Sequence, residues 1–356
     1  MLSYVNLTTR ILQFLQDTGA VTYDATETGF AIENELKRLS RYSPVLIDVI
    51  FQVESRTGSD TAGTASKLTD TTESQFLSTD PTNEKVVHNI TDDTWAVVTG
   101  YTSTSVLSIS KDIMASGESY ELYNKRCKNK RQIYIGALPF YLWIESVEYP
   151  IGTERNFVKI SRDVVGLDVD DSTILDSDST LSTLNQVDVL VRFALPQVLC
   201  QLTDLSGAVH TGASALATTM QIKNFTDTQV VEVGEMFNIA GHRTTYIVTT
   251  ELTLANQATT GSSLAFYPPL EAATTADDVI TFIKSTLQPN YEDLLGRMVV
   301  SRAIQSDMLR FAKSGTPLVS NYQKIITGNP LLSPIIINRE LEALASPKVA
   351  KILTRV

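Results

Sequence analysis

The chain has 356 residues, enough for two or three domains and at least one sizeable core. Its 43% of apolar and 19% of charged residues match ordinary globular usage, which excludes disordered, coiled-coil and collagen-like chains. The net charge of −11 excludes a protein that grips nucleic acid through a basic surface, because such binding depends on Lys and Arg. Residues 1–20 lack a signal-peptide pattern, and no run of about 18 apolar residues occurs, so we expect a protein made in a cytoplasm without membrane association.

The first 43 residues have the apolar periodicity of helices. A first helix is predicted to end near Thr18, and its apolar face comprises Leu7, Ile11, Phe14 and Leu15. A second helix is predicted to begin at Asp24 or Thr28 and to end at Ser43, before a proline; its apolar face comprises Ile32, Leu36 and Leu39. We expect a small helical hairpin.

From Val45 to Glu54 apolar and polar residues alternate, which predicts a half-buried strand. Similar patterns predict further strands, at 132–135, 141–149, 157–165 and 187–193. We expect these strands to form one antiparallel meander.

Two stretches, 56–126 and 207–284, are poor in Lys and Arg and rich in Thr, Ser, Gly and short β-branched runs. We call them module 1 and module 2. They resemble each other weakly: Asn89 precedes Trp95 by six residues, while Asn238 precedes Tyr246 by eight. β-rich composition alone could also produce this likeness. We interpret both as small β-modules, barrel or sandwich-like, inserted in one core, because insertions are tolerated where loop ends lie close together.

Helical texture returns after module 2. Pro289 suits a first helical turn, Gly315 and Pro317 end the helix, and its apolar stripe comprises Val300, Ile304, Met308 and Phe311. The predicted fold class is therefore α+β, with a helical-bundle core, an antiparallel β meander and two inserted β-modules. The core is predicted to be discontinuous, comprising 1–55, 127–206 and 285–315.

Residues 316–356 are predicted to form a C-terminal docking arm. From Ser314 to Val356 five cations and two anions give a net charge of +3, which leaves −14 for the rest of the chain. The arm is apolar and basic with little surface of its own, so it gains most by packing against a partner. The candidate docking residues are Ile335, Ile336, Ile337, Arg339, Leu341, Leu344, Lys348, Lys351, Ile352, Leu353 and Arg355.

No motif proposes catalysis or a cofactor. The acidic stretch 163–178 fails the EF-hand pattern, because Thr173 and Ser179 stand where glycine and glutamate are required, so we favour a solvated loop over an ion site. His88, His210 and His242 have no metal-ligand spacing, and no phosphate-binding loop or nucleophile elbow occurs. We predict a non-enzyme without catalytic, cofactor or metal residues. The remaining enzyme hypothesis, hydrolysis of cell-wall polymer, would depend on carboxylates of 168–178.

Cys127 and Cys200 have no CxxC spacing, and we interpret both as buried or incidental. One basic cluster stands where module 1 rejoins the core, comprising Lys125, Arg126, Lys128, Lys130 and Arg131. This cluster could meet an acidic neighbour in an oligomer, or it could be a solvated linker.

Seven segments, in order and texture, resemble the head-to-tail adaptor (connector) proteins of tailed double-stranded DNA bacteriophages. They are 55–58, 70–76, 93–99, 116–121, 141–152, 204–209 and 237–246. The resemblance covers about residues 45 to 285, while the helical parts match it only in layout.

The resemblance implies a structural virion protein of the neck between capsid and tail, made in the host bacterial cytoplasm. It implies a self-assembled ring, commonly twelvefold, that joins the portal protein ring to tail, tail-completion or nozzle proteins and lines the passage for genome packaging and DNA ejection. It also implies that the C-terminal segment docks on the portal. The acidic charge agrees with DNA passing without specific binding. The alternative is another phage neck, tail-completion, baseplate or decoration protein that uses its β-modules for binding.

Overall fold

The structure is a computed structural model that describes residues 4–15, 25–138, 140–171, 174, 188–314 and 330–344. The chain divides into two compact units: unit 1 comprises Met1–Leu46 and Ala194–Val356, and unit 2 comprises Ile47–Phe193. The helices all belong to unit 1 and are α1 Tyr4–Phe14, α2 Ala25–Ser40, α3 Pro289–Ser314 and α4 Pro334–Leu344, with a 3₁₀ turn at Pro330–Leu332.

The four helices pack around one apolar cluster. Its buried members include Leu7 and Ile11 of α1, Ile32 and Leu39 of α2, Leu295, Val299 and Ile304 of α3, and Ile337 and Leu341 of α4. The predicted faces of the first two helices are confirmed at Leu7, Ile11, Ile32 and Leu39, which are buried, whereas Phe14, predicted for the first face, is 58% exposed. The predicted continuation of the second helix to Ser43 is wrong. The helix ends at Ser40, whose hydroxyl bonds back to the carbonyl of Leu36 and accepts the Gln197 amide.

Twenty-one strands are found among the described residues. Those that lie wholly or mainly in unit 2 are β1 Val45–Gln52, β2 Thr57–Ser59, β3 Lys67–Thr69, β4 Val86–Asn89, β5 Thr94–Ser103, β6 Val106–Ile109, β7 Ser119–Tyr123, β8 Gln132–Tyr134, β9 Trp143–Glu148, β10 Glu154–Arg155, β11 Phe157–Lys159, β12 Val164–Leu167 and β13 Asp188–Leu195. Those of unit 1 are β14 Ser206–Thr211, β15 Thr219–Lys223, β16 Val230–Val231, β17 Met236–Ile239, β18 Thr245–Val248, β19 Leu252–Thr253, β20 Ser262–Tyr267 and β21 Val279–Phe282.

The strand at Val45 is confirmed, and its burial alternates as the sequence pattern requires. The single meander is wrong, because the strands outside the modules form two sheets with the orders β1-β13-β9-β10 and β11-β12-β8. The predicted strand 157–165 is a hairpin of β11 and β12. It turns at polar residues after Ile160, whose amide donates to the carbonyl of Val164 at 3.0 Å.

The predicted helical-bundle core is also wrong. Strands exceed helices among the described residues, and the largest assemblies are a six-stranded sheet and a six-stranded closed barrel. The helices form one cluster beside the barrel in unit 1. The physical reason is that each module closes its own apolar core, so the helices do not have to supply one.

The two modules have the same strand order. The sheet within 56–126 runs β2-β7-β4-β5-β6-β3, and the barrel runs β14-β21-β17-β18-β20-β15, with β15 pairing back to β14. In module 2, β16 and β19 form a separate two-stranded sheet and are left out of the count. When the remaining six strands of each module are numbered along the chain, both strand orders are 1-6-3-4-5-2. Shared order across six strands makes the two modules structural repeats of one another.

The cross-strand register of the central hairpins shows how the repeats align. His88 pairs with Trp95 on β4 and β5, and Asn238 pairs with Thr245 on β17 and β18. Both strands are therefore offset by 150 residues, and the two hairpins have equal length. The sequence comparison aligned Asn89 with Asn238, which is wrong by one residue, because strand register aligns His88 with Asn238. The comparison had matched residue types, whereas the repeat is defined by register.

The interiors of both modules are filled by their own side chains. In module 2 the ring of Phe237 lies 5.6 Å from that of Phe266 and 5.4 Å from that of Phe282, and Tyr246 stacks beside them. Module 1 has a smaller core, which includes Leu68, Val87, Leu107, Tyr120 and Leu122. Each module therefore has a complete core, and its outer surface and loops remain for contacts with other molecules.

Candidate assembly surfaces

Helix α4 carries all of the predicted docking residues that the structure describes. Ile337 and Leu341 are buried in the helical cluster of unit 1, and Leu344 packs against the same cluster. The sequence pattern predicted that these side chains contact a partner. In the structure they pack against other helices of the same chain. The apolar periodicity of α4 could not show whether its apolar face packs on a partner or on α3 of the same chain.

Ion pairs fix α4 on α3. The Arg297 guanidinium donates to both carboxylate oxygens of Glu340, at 2.9 and 2.7 Å, and also reaches Asp293 at 3.0 Å. The hydrogen bond to Arg297 lowers the pKa of Glu340 and raises that of the guanidinium. Arg38 of α2 donates to the amide oxygen of Asn338. Two-point Arg–carboxylate contacts fix orientation as well as distance, so α4 has one defined seat.

The opposite face of α4 is accessible. Ile335 is 66% exposed, Arg339 is exposed and Ile336 is half-buried. Lys348, Lys351, Ile352, Leu353 and Arg355 lie outside the described residues. Among the predicted docking residues that are described, Ile335 and Arg339 are therefore the ones that a partner could reach.

An apolar cavity of about 240 Å³ opens between α1, α2 and α3. Ile11, Val299 and Ala303 line it, and Phe30, which is 60% exposed, stands at its edge. Phe30 was not among the residues predicted from the sequence. The available signal was a large aromatic residue off the apolar face that Ile32 and Leu39 define.

A buried ion network joins the start of module 1 to its long loop. The Arg56 guanidinium binds Glu54 at 2.9 Å and Asp80 at 2.7 Å, and Lys85 also contacts Glu54, at 2.5 Å. Burial would raise the pKa of Glu54, but the Lys85 and Arg56 charges outweigh it and lower that pKa to about 2. This network was not anticipated, because charged residues separated by 24 positions carry no local pattern.

The basic cluster is largely paired within unit 2. Lys125 binds Glu84 at 2.7 Å, Arg131 binds Asp171 at 2.8 Å, and Arg126 binds Asp163. These pairs use part of the predicted acidic stretch as the partner of the predicted basic cluster. Exposed pairs of this kind contribute little to stability, so their main effect is to reduce the positive charge available to a neighbour.

As far as their residues are described, the acidic stretch and the histidines form no group that could hold a metal ion. Asp168 and Asp170 are exposed, and the part of the chain that the structure describes contains no group of three His, Cys, Asp or Glu residues placed to hold a metal ion. His88 stacks on Trp95 with ring centroids 3.9 Å apart, and Nδ1 of His242 lies 2.6 Å from the Tyr246 hydroxyl. Asp176 lies outside the described residues.

A buried carboxyl lies where module 2 meets the segment that leads into it from β13. Glu235 is 1% exposed, and its Oε1 accepts the Gln201 amide at 2.9 Å. Burial, with a smaller contribution from the nearby Glu232 carboxylate, raises the pKa of Glu235 to about 7. Both free cysteines are buried, as predicted, and burial raises the pKa of Cys127 and of Cys200 to about 12. Such thiols are poor nucleophiles at neutral pH.

Comparison of the sequence with protein-family models and with curated proteins finds no match. Across the described helices, none combines the length and apolar character that crossing a membrane requires.

Proposed function

We propose that this protein is a structural subunit of a tailed-phage particle and forms the head-to-tail adaptor ring that joins the portal to the tail. The observation that carries the proposal is the pair of β-modules with filled interiors. Packed cores leave outer faces and loops as the working surfaces, which suits a subunit that contacts several neighbours. The segments that resemble phage adaptors fall largely within these modules and the sheets beside them.

The exposed face of α4 supports a narrower form of docking than the sequence suggested. Ile335 and Arg339 face away from the helical cluster, and the Arg297–Glu340 contact keeps the helix in place beneath them. A portal surface with an apolar depression beside an acidic group would fit these two side chains. Docking would then add contacts to a folded helix and would not require the arm to fold on the portal.

Electron microscopy of particles that contain this protein tests the ring. We expect a closed ring of copies between portal and tail. Scattered single copies, or copies on the capsid surface, would contradict the proposal.

The docking face is tested with the double variant Ile335→Ser, Arg339→Glu. Since both side chains are exposed, we expect unchanged unfolding and at least tenfold weaker capture by portal-containing heads, which is about 1.4 kcal/mol. The matched control is Val158→Ser in unit 2, which removes a side chain of similar exposure, 62%, from another surface. Equal capture of the double variant and the control would remove α4 from the docking surface.

A further inference from the structure

The repeat alignment places two oppositely charged turns at the same position of the two modules. With the offset of 150 residues, Asp92 of module 1 corresponds to His242 of module 2, and Asp93 corresponds to Arg243. Each turn leads from the third to the fourth strand of its module. The neighbouring sixth strand is held in the same way in both: Ile90 donates to the Ser119 carbonyl at 2.9 Å, and Ala240 donates to the Val279 carbonyl at 2.9 Å.

We name the first of these ends the module 1 corner; it consists of Ile90, Asp92, Asp93 and Glu118. Asp92 and Glu118 are close enough to repel each other, and this repulsion raises the pKa of Asp92. The two loops that meet here also carry Lys111 and Asp112, so acidic side chains outnumber basic ones by four to one. Beside the carboxylates, Ile90 is 47% exposed. Asp93 already contacts the His88 imidazole at 2.9 Å, and Glu118 accepts hydrogen bonds from the Asn89 side chain and the Ala115 amide. Asp92 is therefore the carboxylate of this corner best placed to meet a cation from outside.

We name the corresponding end of the barrel the module 2 corner; it consists of Leu216, His242, Arg243 and Val279. Leu216 is 74% exposed and Val279 is 48% exposed, so this corner also presents apolar surface. Arg243 is exposed at the tip of the turn.

The carboxylates near the module 2 corner already have partners. Asp277 binds Lys223 at 2.7 Å, Glu271 accepts the amides of Arg243 and Thr244, and Asp278 accepts the amide of Thr275. The guanidinium of Arg243 is therefore the group at this end best placed to reach an external carboxylate.

We propose that the module 1 corner of one subunit binds the module 2 corner of a second copy of this chain. Arg243 would lie against Asp92 and Glu118, and Ile90 would pack on Val279 and Leu216. The contact is head-to-tail, since two different surfaces meet, and a head-to-tail contact closes into a ring when its rotation divides the circle. The inference rests on the proposed function, because it supplies the contact between ring neighbours.

Charge reversal tests the contact, with sedimentation of the full-length protein at high concentration as the measurement. Asp92→Arg and Arg243→Asp should each raise the dissociation constant of self-association about tenfold or more, because each places like charges together. Both sites are exposed turn positions outside the left-handed backbone region, so both variants should fold normally. The control is Asp170→Arg, an equal change of charge on an exposed loop of unit 2.

Mixing the two single variants gives the decisive result. In an alternating ring, the new arginine of the Asp92→Arg variant would meet the new aspartate of the Arg243→Asp variant, and the next contact would be the original Asp92 with Arg243. We expect the equimolar mixture to regain wild-type association, although each variant alone associates about tenfold or more weakly. A mixture that stays dissociated, or single variants that associate like the control, would overturn the inference.

Cysteine cross-linking gives a second readout that does not depend on affinity. The native thiols are buried, so Ile90→Cys with Val279→Cys introduces the two accessible ones. Oxidation should produce a ladder of covalent oligomers, whereas Ile90→Cys with Val233→Cys, at the other end of the barrel, should not. Rings in particles combined with no ladder would reject this contact alone; particles without a ring would reject the proposed function.

Discussion

The carboxyl of Glu235 should make the stability of unit 1 depend on pH. Its side chain is buried beside Gln201 and Cys200, and its pKa is about 7 in the folded chain against an ordinary value of 4.5. A raised carboxyl pKa means that the folded state holds its proton more tightly than the unfolded state does. The resulting stability is fully present below pH 4.5 and is lost as the pH rises through 7.

The size of the effect follows from the two pKa values. A difference of about 2.5 units corresponds to about 3 kcal/mol, since each unit is worth about 1.36 kcal/mol. Glu235→Gln keeps the shape of the side chain and the acceptor for the Gln201 amide, and it cannot ionise. The variant should match the wild type near about pH 4 and be more stable by about 3 kcal/mol near about pH 8.

Hydrogen exchange followed by mass spectrometry measures this difference in stability within the barrel. Near about pH 8, peptides of β17 and β18 should be protected about 100-fold more strongly in Glu235→Gln than in the wild type, because about 1.4 kcal/mol is a factor of ten. Peptides of unit 2 provide an internal control. Glu342→Gln, an exposed change of the same kind on α4, should alter neither.

Equal protection of the wild type and Glu235→Gln near about pH 8 would refute the reasoning. So would a difference of the same size near about pH 4, because both forms are then uncharged and the effect would come from packing.

Other substitutions test the packing of each element by urea unfolding. Arg56→Met should destabilise unit 2 by about 3–5 kcal/mol, because it leaves Glu54 and Asp80 buried with Lys85 as their remaining cation. Gly207→Ala should cost about 1–3 kcal/mol, since its Cβ would lie 2.2 Å from a ring atom of Phe225 and 2.6 Å from the backbone carbonyl oxygen of Lys223; a neutral result would contradict this close packing. Gly296→Ala should instead stabilise α3 by about 1 kcal/mol, because no atom lies within 4 Å of the new methyl group. Leu341→Ala should cost about 2–5 kcal/mol, and no loss would show that α4 is not seated on the helical cluster.

Local patterns in the sequence predicted local structure well. The apolar stripes of Leu7 and Ile32 predicted α1 and α2, and the alternation from Val45 predicted β1. These patterns work because helix and strand periods are properties of a few consecutive residues. The division of the predicted strand at Ile160 was missed, since a short polar turn of Ser161 to Asp163 interrupts the alternation only briefly.

Non-local features could not be derived in the same way. The tertiary path of the chain decides whether Leu341 packs on a partner or on α3 of its own chain. The sequence pattern of an apolar helix face is the same in both cases. The Arg56 network joins the connection between β1 and β2 to the connection between β3 and β4, so no short window of sequence contains it. The fold class failed for a related reason: the helical segments are long and conspicuous, whereas the many short strands become a barrel only through their mutual pairing.

The two repeats reach the same strand order by different physical means, which explains why their sequences look so different. In module 2 the first and second strands pair directly, with Ala208 opposite Lys223, and an aromatic core fills the closed barrel. In module 1 the strands β2 and β3 are the edges of the sheet. They are joined by the Thr61 amide bonding to the Thr69 carbonyl at 2.6 Å and by the buried Asp60 carboxylate, which accepts the Thr69 amide at 2.7 Å.

At the seam of module 1, a carboxylate therefore supplements a single backbone hydrogen bond between the edges. Asp70 has a similar role, since it accepts two loop amides and the Tyr120 hydroxyl. Buried polar groups of this kind are tolerated because every one of these acceptors has donors. The fold of such a repeat depends on hydrogen-bond partners at the seam of one module and on aromatic volume inside the other. The repeat can therefore be recognised by strand order and register. The residue types at matched positions need not be the same, because the two modules are stabilised in different ways.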